Sequence, residues 1–224
     1  MTLILIPGHL CDSRLYAPQT QQRDDIIIAD VTQDDDLGAM ANRLLATAPE
    51  QFDLGGLSMG GMIAMEVLAR APHRVRRACL MATDPTAARQ VEQDWRAGMQ
   101  ANVRADGLAA FSTPFTAMFF AHDTDVAARL AAPVAEMVAA MDEDLYHRQS
   151  NALNTRRDML ERLADCAVPV QIIVGSEDRI CPPKLHQKLA AALPNATLTQ
   201  VDGCGHLVSL ERPDVVNEIL HSPG

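Results

Sequence analysis

The amino-acid sequence predicts an α/β protein built on an open, mostly parallel β-sheet of about six strands flanked by helices. Short apolar runs rich in β-branched residues alternate with longer stretches of helical periodicity, the pattern of parallel strands joined by crossover helices. The alternation stops between residues 85 and 165, where helical periodicity continues without a strand candidate. We therefore expect a core made of residues 1–84 and 166–224, with a helical lid inserted at residues 85–165.

Six segments are candidates for the strands of this sheet. They are short and apolar, and the stretches between them are long enough to hold a helix. The predicted strands are Thr2–Ile6, Ile26–Val31, Phe52–Leu57, Arg76–Ala82, Val170–Val174 and Thr197–Val201.

Helical segments fill the intervals between the predicted strands. Apolar residues from Leu37 to Leu45 recur at helical spacing directly after Asp34–Asp36, whose carboxylates can cap a helix start and favour its positive dipole end. The acidic run is therefore expected to be structural. In the insertion, the predicted helices are Gln93–Ala105, Val126–Met141 and Leu145–Leu163, with a break at Ser112–Pro114.

Composition narrows the possible functions. The chain has 224 residues, 48% of them apolar, and a net charge of -10, so it can bury a substantial core and repels phosphate backbones. Nucleic-acid binding is therefore disfavoured. No basic leader precedes the first predicted strand, and no run of roughly 18 apolar residues occurs. These features predict a cytoplasmic protein without a membrane span.

The five cysteines are an odd number, and no pair has the two-residue spacing of a zinc or redox motif. We expect reduced thiols that act as small buried packing residues. Cys11, Cys181 and Cys204 fall in predicted loops near the motifs described below, so a thiol lining the pocket is an open alternative. No pattern in the chain predicts a metal site or a cofactor.

The segment Gly56–Gly60, with the sequence Gly-Leu-Ser-Met-Gly, carries the clearest chemical signal. It ends a predicted strand and precedes a good helix former, and a serine in such a sharp strand-to-helix turn is typically a nucleophile. The turn strains Ser58 and lifts its hydroxyl clear of the sheet. A purely structural glycine-rich turn is the alternative; a phosphate loop is disfavoured because its Lys-Ser/Thr pair is missing.

A serine nucleophile needs a base, and the base needs a group that fixes its tautomer and stabilises its charged form. Asp178 follows the fifth predicted strand and His206 follows the sixth. Open parallel sheets place their sites at these strand ends, and the order Ser, Asp, His suits this strand arrangement. The sequence therefore predicts a catalytic triad of Ser58, Asp178 and His206.

Other residues compete for the acid and base roles. Glu177 is expected to point away from the site, Asp202 precedes the histidine loop, and Asp84 ends the strand after the nucleophile's helix. His9 follows the first strand, and its position suits the oxyanion hole described below better than the role of base. The remaining histidines are expected in the lid or on solvated helix faces: His73, His122, His147, His186 and His221.

Attack on a carbonyl places negative charge on its oxygen, which preorganised backbone N–H groups stabilise. One donor is expected to be the N–H of Met59, directly after the nucleophile. The second is expected from the loop Pro7–Cys11, where Gly8 permits the turn. We assign it to the N–H of His9, with Leu10 as the alternative.

Together these motifs resemble the α/β-hydrolase family, and within it the small capped esterases similar to pimeloyl-carrier-protein methyl ester esterase and enol-lactone hydrolases. The resemblance rests on Leu5–Gly8, Gly56–Gly61, Gly175–Pro182 and Gly203–Pro213. Pro7 departs from the histidine that many relatives carry. The resemblance also implies that the chain begins at the third strand of larger relatives, so the sheet is expected to be smaller.

The leading hypothesis is a serine hydrolase that cleaves a small carboxylic ester through an acyl-enzyme on Ser58. A lactone, thioester or carbon–carbon bond hydrolase on the same triad is the first alternative, and a non-catalytic ligand receptor is an alternative of another class. The expected partner is a small ester or acyl molecule. The candidate pocket residues, which are also candidates for simple lid packing, are Leu10, Trp95, Phe115, Met118, Phe119 and Leu207.

Four arginines of the last predicted lid helix are candidates for contact with an acidic carrier protein or a substrate carboxylate. Acidic residues are interleaved with them, which favours an ordinary salt-bridged helix surface. These arginines are Arg148, Arg156, Arg157 and Arg162. The sequence does not predict an oligomeric state.

Overall fold

Six parallel strands form one sheet in residues 2–121 and 125–221, the part of the chain that the computed structural model describes. The strands are β1 (Leu3–Ile6), β2 (Ile26–Ile28), β3 (Phe52–Leu57), β4 (Val75–Met81), β5 (Val170–Gly175) and β6 (Ala196–Val201). Their spatial order is β2-β1-β3-β4-β5-β6. The chain therefore reverses its direction of travel across the sheet between β1 and β3, the place where open α/β sheets bind ligands.

Helices cover this sheet and fill the interval between β4 and β5. They are α1 (Ala17–Thr20), α2 (Leu37–Thr47), α3 (Met59–Arg70), α4 (Gln90–Asp106), α5 (Leu108–Thr116), α6 (Asp125–Ala139), α7 (Glu143–Asn154), α8 (Pro183–Ala192), α9 (Val208–Glu211) and α10 (Pro213–His221). The 3-10 turns are Ser13–Tyr16 and Pro72–Arg74. No helix in the described ranges is long and apolar enough to cross a membrane.

The sheet separates two apolar layers. In β1, Ile4 and Ile6 pack into the layer that contains α2 and α3, whereas Leu3 and Leu5 pack into the opposite layer. This alternation arises because successive side chains of a strand point to opposite faces. All six predicted strands form, which confirms the predicted fold class. Strand β2 is shorter than expected because its pairing with β1 stops at the Leu5–Ile28 pair.

The acidic run before α2 has the structural role expected for it. Asp36 is the N-cap residue, and its side chain accepts a hydrogen bond from the N–H of Ala39 at 2.8 Å. Asp34 forms an ion pair with Arg43 at 2.6 Å on the helix surface. These bonds satisfy an orphan N–H at the helix start and fix the acidic side chains outside any site.

Helices α4 to α7 lie between β4 and β5, but two predictions for this segment are wrong. The helix predicted over Leu145–Leu163 ends at Asn154, after which Met159 and Leu163 return to the core layer beside α3. The break predicted around Pro114 is absent, because α5 runs through to Thr116. Tertiary packing decides where α7 ends and whether α5 continues, and the periodicity of apolar residues in the sequence gives no information about that packing. The division of the chain into core and lid stays a prediction, and His122 lies outside the described residues.

Candidate active site

Ser58 lies in the sharp turn between β3 and α3. Its φ of 57° and ψ of -118° form a backbone conformation that a non-glycine residue rarely adopts. Two hydrogen bonds fix the turn, because the Ser58 N–H donates to the Met81 carbonyl and the Thr83 hydroxyl donates to the Ser58 carbonyl, each at 2.9 Å. The predicted nucleophile is thus held half-buried at the carboxyl end of a central strand.

Two glycines make this turn sterically possible. A Cβ on Gly56 would collide with the Gly60 carbonyl, and a Cβ on Gly60 would collide with the carbonyl of Ile6 at the end of β1. The helix that follows Ser58 can therefore approach β1 only because these positions have no side chain. The glycines of the motif have a packing role that is independent of the chemistry of the serine.

Asp178 and His206 contact each other in the structure. The Nδ1 atom of His206 lies 2.8 Å from Oδ2 of Asp178, and both side chains are buried. The other oxygen of Asp178 accepts the N–H groups of Ile180 and Cys181, each at 2.9 Å. Burial raises the pKa of the Asp178 carboxyl, but the His206 charge and these hydrogen bonds outweigh it and hold the pKa below its usual value.

The other carboxylate candidates lie elsewhere. Asp84 faces Arg156, with its Oδ2 atom 3.5 Å from the arginine Nη2. Glu177 and Asp202 are exposed. The carboxylate that the structure brings to the His206 ring is therefore Asp178.

A buried carboxylate that the sequence did not reveal anchors the His206 loop. Glu211 accepts the Gly205 N–H at 3.0 Å through one oxygen and the Leu207 N–H at 3.1 Å through the other. Between them, the His206 N–H donates to the Phe119 carbonyl at 2.6 Å. Glu211 thus fixes the backbone on both sides of His206. The only sequence signal was its position five residues beyond the histidine.

The loop after β1 runs against the serine. A Cβ placed on Gly8 would lie 3.5 Å from Cβ of Ser58. The N–H of Leu10 donates to Oε1 of Gln149 in α7 at 2.8 Å, so the alternative of Leu10 as an oxyanion donor is wrong. Within the described part of the chain, the N–H groups of His9 and Met59 donate to no protein acceptor.

The side chain of His9 belongs to an aromatic wall. Its ring stacks on Tyr146 with the centroids 5.6 Å apart and meets Phe115 edge-on at 5.8 Å. The Ser150 hydroxyl lies 3.4 Å from its Nε2 atom. Burial, together with the positive charge of Arg96, lowers the pKa of His9 to about 3. The ring is therefore neutral at physiological pH.

A cavity of about 440 Å³ opens over Ser58 and His206. Most of the predicted pocket residues line it, namely Trp95, Phe115, Met118, Phe119 and Leu207. Leu10 is not among its lining residues; the backbone of Leu10 has a left-handed φ of 55°, and its side chain is fully buried in the core. Among the described residues, Ser58 Oγ and the His206 ring form no hydrogen bond with each other.

Two of the three cysteines near the site contribute to this cavity. Cys11 and Cys181 line it, whereas Cys204 is buried in the core layer beyond it. Burial raises the pKa of the Cys11 thiol to about 12 and raises that of Cys181 as well. Both thiols are therefore protonated at neutral pH and have little nucleophilic character.

The four arginines predicted on one helix surface are distributed among different environments. Arg148 lies in α7 and donates to the Thr32 carbonyl at 3.0 Å, and Arg162 pairs with Glu66 at 2.8 Å. Arg157 is exposed, and Arg156 lines the cavity. The salt-bridged helix surface was therefore wrong, because α7 ends before three of the four residues.

His186 is also not where the sequence placed it. We expected a solvated helix face, but the side chain is fully buried, and its Nε2 atom accepts the Thr83 N–H at 2.8 Å. Burial lowers the pKa of His186 to about 4, so the imidazole is neutral and can accept this hydrogen bond. Through Thr83, it supports the turn that holds Ser58.

The fold and the site define a class of protein. A strained serine after a central parallel strand, beside a buried histidine and carboxylate, is the arrangement of hydrolytic enzymes built on such a sheet. A model of the alpha/beta hydrolase family matches residues 6–219. The chain belongs to this family, which confirms the resemblance seen in its motifs.

Individual relatives agree with this assignment. The chain is 31% identical over 204 residues to a pimeloyl-[acyl-carrier protein] methyl ester esterase of Aromatoleum aromaticum, covering 80% of this chain and 76% of that protein. Its fold is similar to an enol-lactonase from Burkholderia xenovorans LB400, with a TM-score of 0.86, 18% identity, and coverage of 98% of this chain and 89% of that one. A thermophilic esterase from Thermogutta terrifontis gives a TM-score of 0.85 at 19% identity, over 98% of this chain and 88% of that one.

Proposed function

We propose that this enzyme is a serine esterase that hydrolyses a small carboxylic ester through an acyl-enzyme on Ser58. The observation that carries the proposal is the shared cavity, since the strained serine and the ring of His206 both line it and Asp178 lies 2.8 Å behind that ring. The names of the relatives, several of which are esterases, support an ester as substrate.

In the proposed reaction, Ser58 attacks the ester carbonyl while Nε2 of His206 accepts the hydroxyl proton. Asp178 accepts the Nδ1 proton of the ring in a hydrogen bond, which sets the tautomer and stabilises the imidazolium. His206 then gives its proton to the departing alcohol. Water, deprotonated by the same ring, then attacks the acyl-enzyme, and the ring returns this proton to Oγ of Ser58 as the bond to the serine breaks and the acid leaves.

We assign the oxyanion hole to the N–H groups of His9 and Met59. Support comes from their unused donors, from the position of Gly8 beside Ser58, and from the N-terminal position of Met59 in α3. Preorganised donors of this kind contribute about 3 kcal/mol each to transition-state stabilisation. In this proposal, a rotation of the Ser58 side chain brings its hydroxyl to Nε2 of His206 and completes the triad.

Helices α4 and α5 supply the apolar roof in this proposal and act as the lid. Trp95, Phe115 and Met118 come from these helices or directly follow them, and all three line the cavity. A roof of this kind suits an acyl chain or a compact ring and shields the acyl-enzyme from bulk water. We also infer a cytoplasmic location, which the five free thiols support.

Labelling with a fluorophosphonate probe tests the nucleophile. The wild type should be labelled and Ser58→Ala should not, while Ser13→Ala, at an exposed serine, should be labelled like the wild type. An unlabelled, folded wild type would favour the ligand-receptor alternative. Persistent labelling of Ser58→Ala would move the nucleophile elsewhere.

A substrate panel tests the bond that is cleaved. Esters, lactones, thioesters and diketone acids of similar size should be compared by kcat/KM. We expect the highest values for esters, and activity confined to diketone acids would refute the esterase assignment.

A further inference from the structure

Two arginine side chains share the cavity of Ser58 although both are almost completely buried. Arg156 has 6% of its side-chain surface exposed and Arg96 has 10%. Arg96 belongs to α4, whereas Arg156 lies in the segment that follows α7. A charged side chain in such a position requires compensation by hydrogen bonds and opposite charge.

Their partners do not use all of their hydrogen-bonding capacity. The Nη2 atom of Arg156 pairs with Glu92 at 2.5 Å, but its Nε–H has no acceptor within the described residues. Arg96 donates from Nη1 to Oδ1 of Asn154 at 2.7 Å, while its Nη2 lies 4.0 Å from Glu92, beyond hydrogen-bonding distance. A guanidinium carries five N–H donors, so several remain available on each side chain.

The carboxylates around Arg96 and Arg156 are shared with a third arginine. Glu92 also pairs with Arg89 at 2.7 Å, so one carboxylate serves three guanidinium groups. Asp84, 3.5 Å from Arg156, is the second carboxylate. We call these five residues, Arg89, Arg96, Arg156, Glu92 and Asp84, the arginine cluster; all of them line the cavity. Arg89 has 71% of its side-chain surface exposed, so within the buried part of the cluster the two arginines Arg96 and Arg156 face the two carboxylates Glu92 and Asp84.

A structural brace between α4 and the core is the simpler explanation of such a cluster. A brace of this kind is stable when its charges are saturated, since an uncompensated buried charge is strongly destabilising. Burial and the neighbouring charge of Arg156 both lower the pKa of Arg96, which indicates incomplete compensation. The unused donors and the position on the cavity wall are features that a brace alone does not require.

We propose that Arg96 and Arg156 bind a carboxylate of the substrate, so that the preferred ester carries a second, ionised carboxyl group. This inference rests on the proposed esterase function of Ser58. A guanidinium matches a carboxylate through two parallel hydrogen bonds.

The test compares mono-methyl esters of short dicarboxylic acids with methyl esters of the matching monocarboxylic acids. Wild type should have the higher kcat/KM for the charged half-ester. In Arg96→Gln, the ratio of half-ester to neutral ester should fall on the order of 10- to 100-fold, the effect of losing a charged hydrogen-bond partner. Arg157→Gln, at an exposed arginine next to Arg156, should keep the wild-type ratio.

A second variant protects the test against misfolding. Arg96→Lys keeps the charge but loses the fork, so it should recover part of the ratio if the site binds a carboxylate. Thermal unfolding of each variant identifies a loss of fold. An equal or higher kcat/KM of the wild type for neutral esters, or an unchanged ratio in folded Arg96→Gln, would refute the carboxylate site and leave the esterase proposal intact.

Binding separates this inference from the proposed function. If no ester is cleaved, calorimetric titration of Ser58→Ala with the half-ester decides the question without catalysis. If Ser58→Ala binds the half-ester and the double variant Ser58→Ala/Arg96→Gln does not, the carboxylate site is supported even though the esterase proposal has failed. No binding, or equal binding in the two proteins, refutes the site.

Discussion

The buried imidazole of His186 should make the stability of this protein sensitive to acid. Its Nε2 atom accepts the Thr83 N–H at 2.8 Å, and Nδ1 lies 3.4 Å from the Pro182 carbonyl, to which it can donate. Only the neutral ring can make the first of these bonds. Protonation would therefore break the link to Thr83 and, through the Thr83 hydroxyl, loosen the carbonyl of Ser58.

The magnitude follows from the pKa of His186. Burial lowers this pKa from 6.5 to about 4, whereas the unfolded chain keeps the ordinary value. Above pH 6.5 the ring is neutral in both states, so the full stability is present. As the pH falls from about 6.5 to about 4, the unfolded state takes up the proton first, and the free energy of unfolding decreases by about 3 kcal/mol from this residue alone.

The variant His186→Gln isolates this contribution, because an amide oxygen can accept the Thr83 N–H but does not titrate. Urea unfolding at neutral pH and near pH 4 should show a loss of stability about 3 kcal/mol smaller in His186→Gln than in the wild type. His9, whose pKa is also low, titrates equally in both proteins. The exposed His73→Gln should follow the wild type. Parallel stability–pH curves for His186→Gln and the wild type would refute the reasoning.

Two further predictions concern the carboxylates around the site. Asp178→Asn should reduce kcat by about ten-thousandfold because the amide no longer favours the required tautomer of the base. Asp84→Asn should retain far more activity in the same ester assay, and the reverse order would move the acid role to Asp84. Glu211→Gln should lower the free energy of unfolding by about 2 kcal/mol and reduce kcat, since an amide nitrogen cannot accept the loop N–H groups. The exposed Glu50→Gln should change stability by less than about 0.5 kcal/mol, and equal effects of the two variants in urea unfolding would contradict the anchoring role.

Local rules made parts of the fold predictable. Asp36 caps α2 because an N-cap carboxylate can accept the N–H of a residue two or three positions further along the helix, and this contact needs only neighbouring residues. The turn at Ser58 is equally local, since strand, glycine spacing and helix lie within a few residues. Asp178 and His206 could be placed together without a structure because the strands that precede them are neighbours in a parallel sheet.

Long-range contacts decided the features that the sequence did not reveal. His186 shares the buried face of α8 with Leu189, three residues further on, but the sequence does not show that Thr83 supplies its hydrogen bond. The N–H of Leu10 donates to Gln149, which lies in a helix far along the chain, so the sequence of the loop could not reveal that this donor is already used. Arg156 reaches the cavity only because α7 ends before it.

The bond from Gln149 to the loop after β1 limits how this enzyme can be re-engineered. Gln149 accepts the Leu10 N–H at 2.8 Å and donates to the Val31 carbonyl at 3.2 Å, so α7 clamps two loops of the sheet at once. Exchange of helices α4 to α7 between relatives is an obvious route to new substrate preferences. A donor segment without an amide at this position would leave a buried N–H unpaired in the loop after β1, so the helices and the sheet are not interchangeable modules.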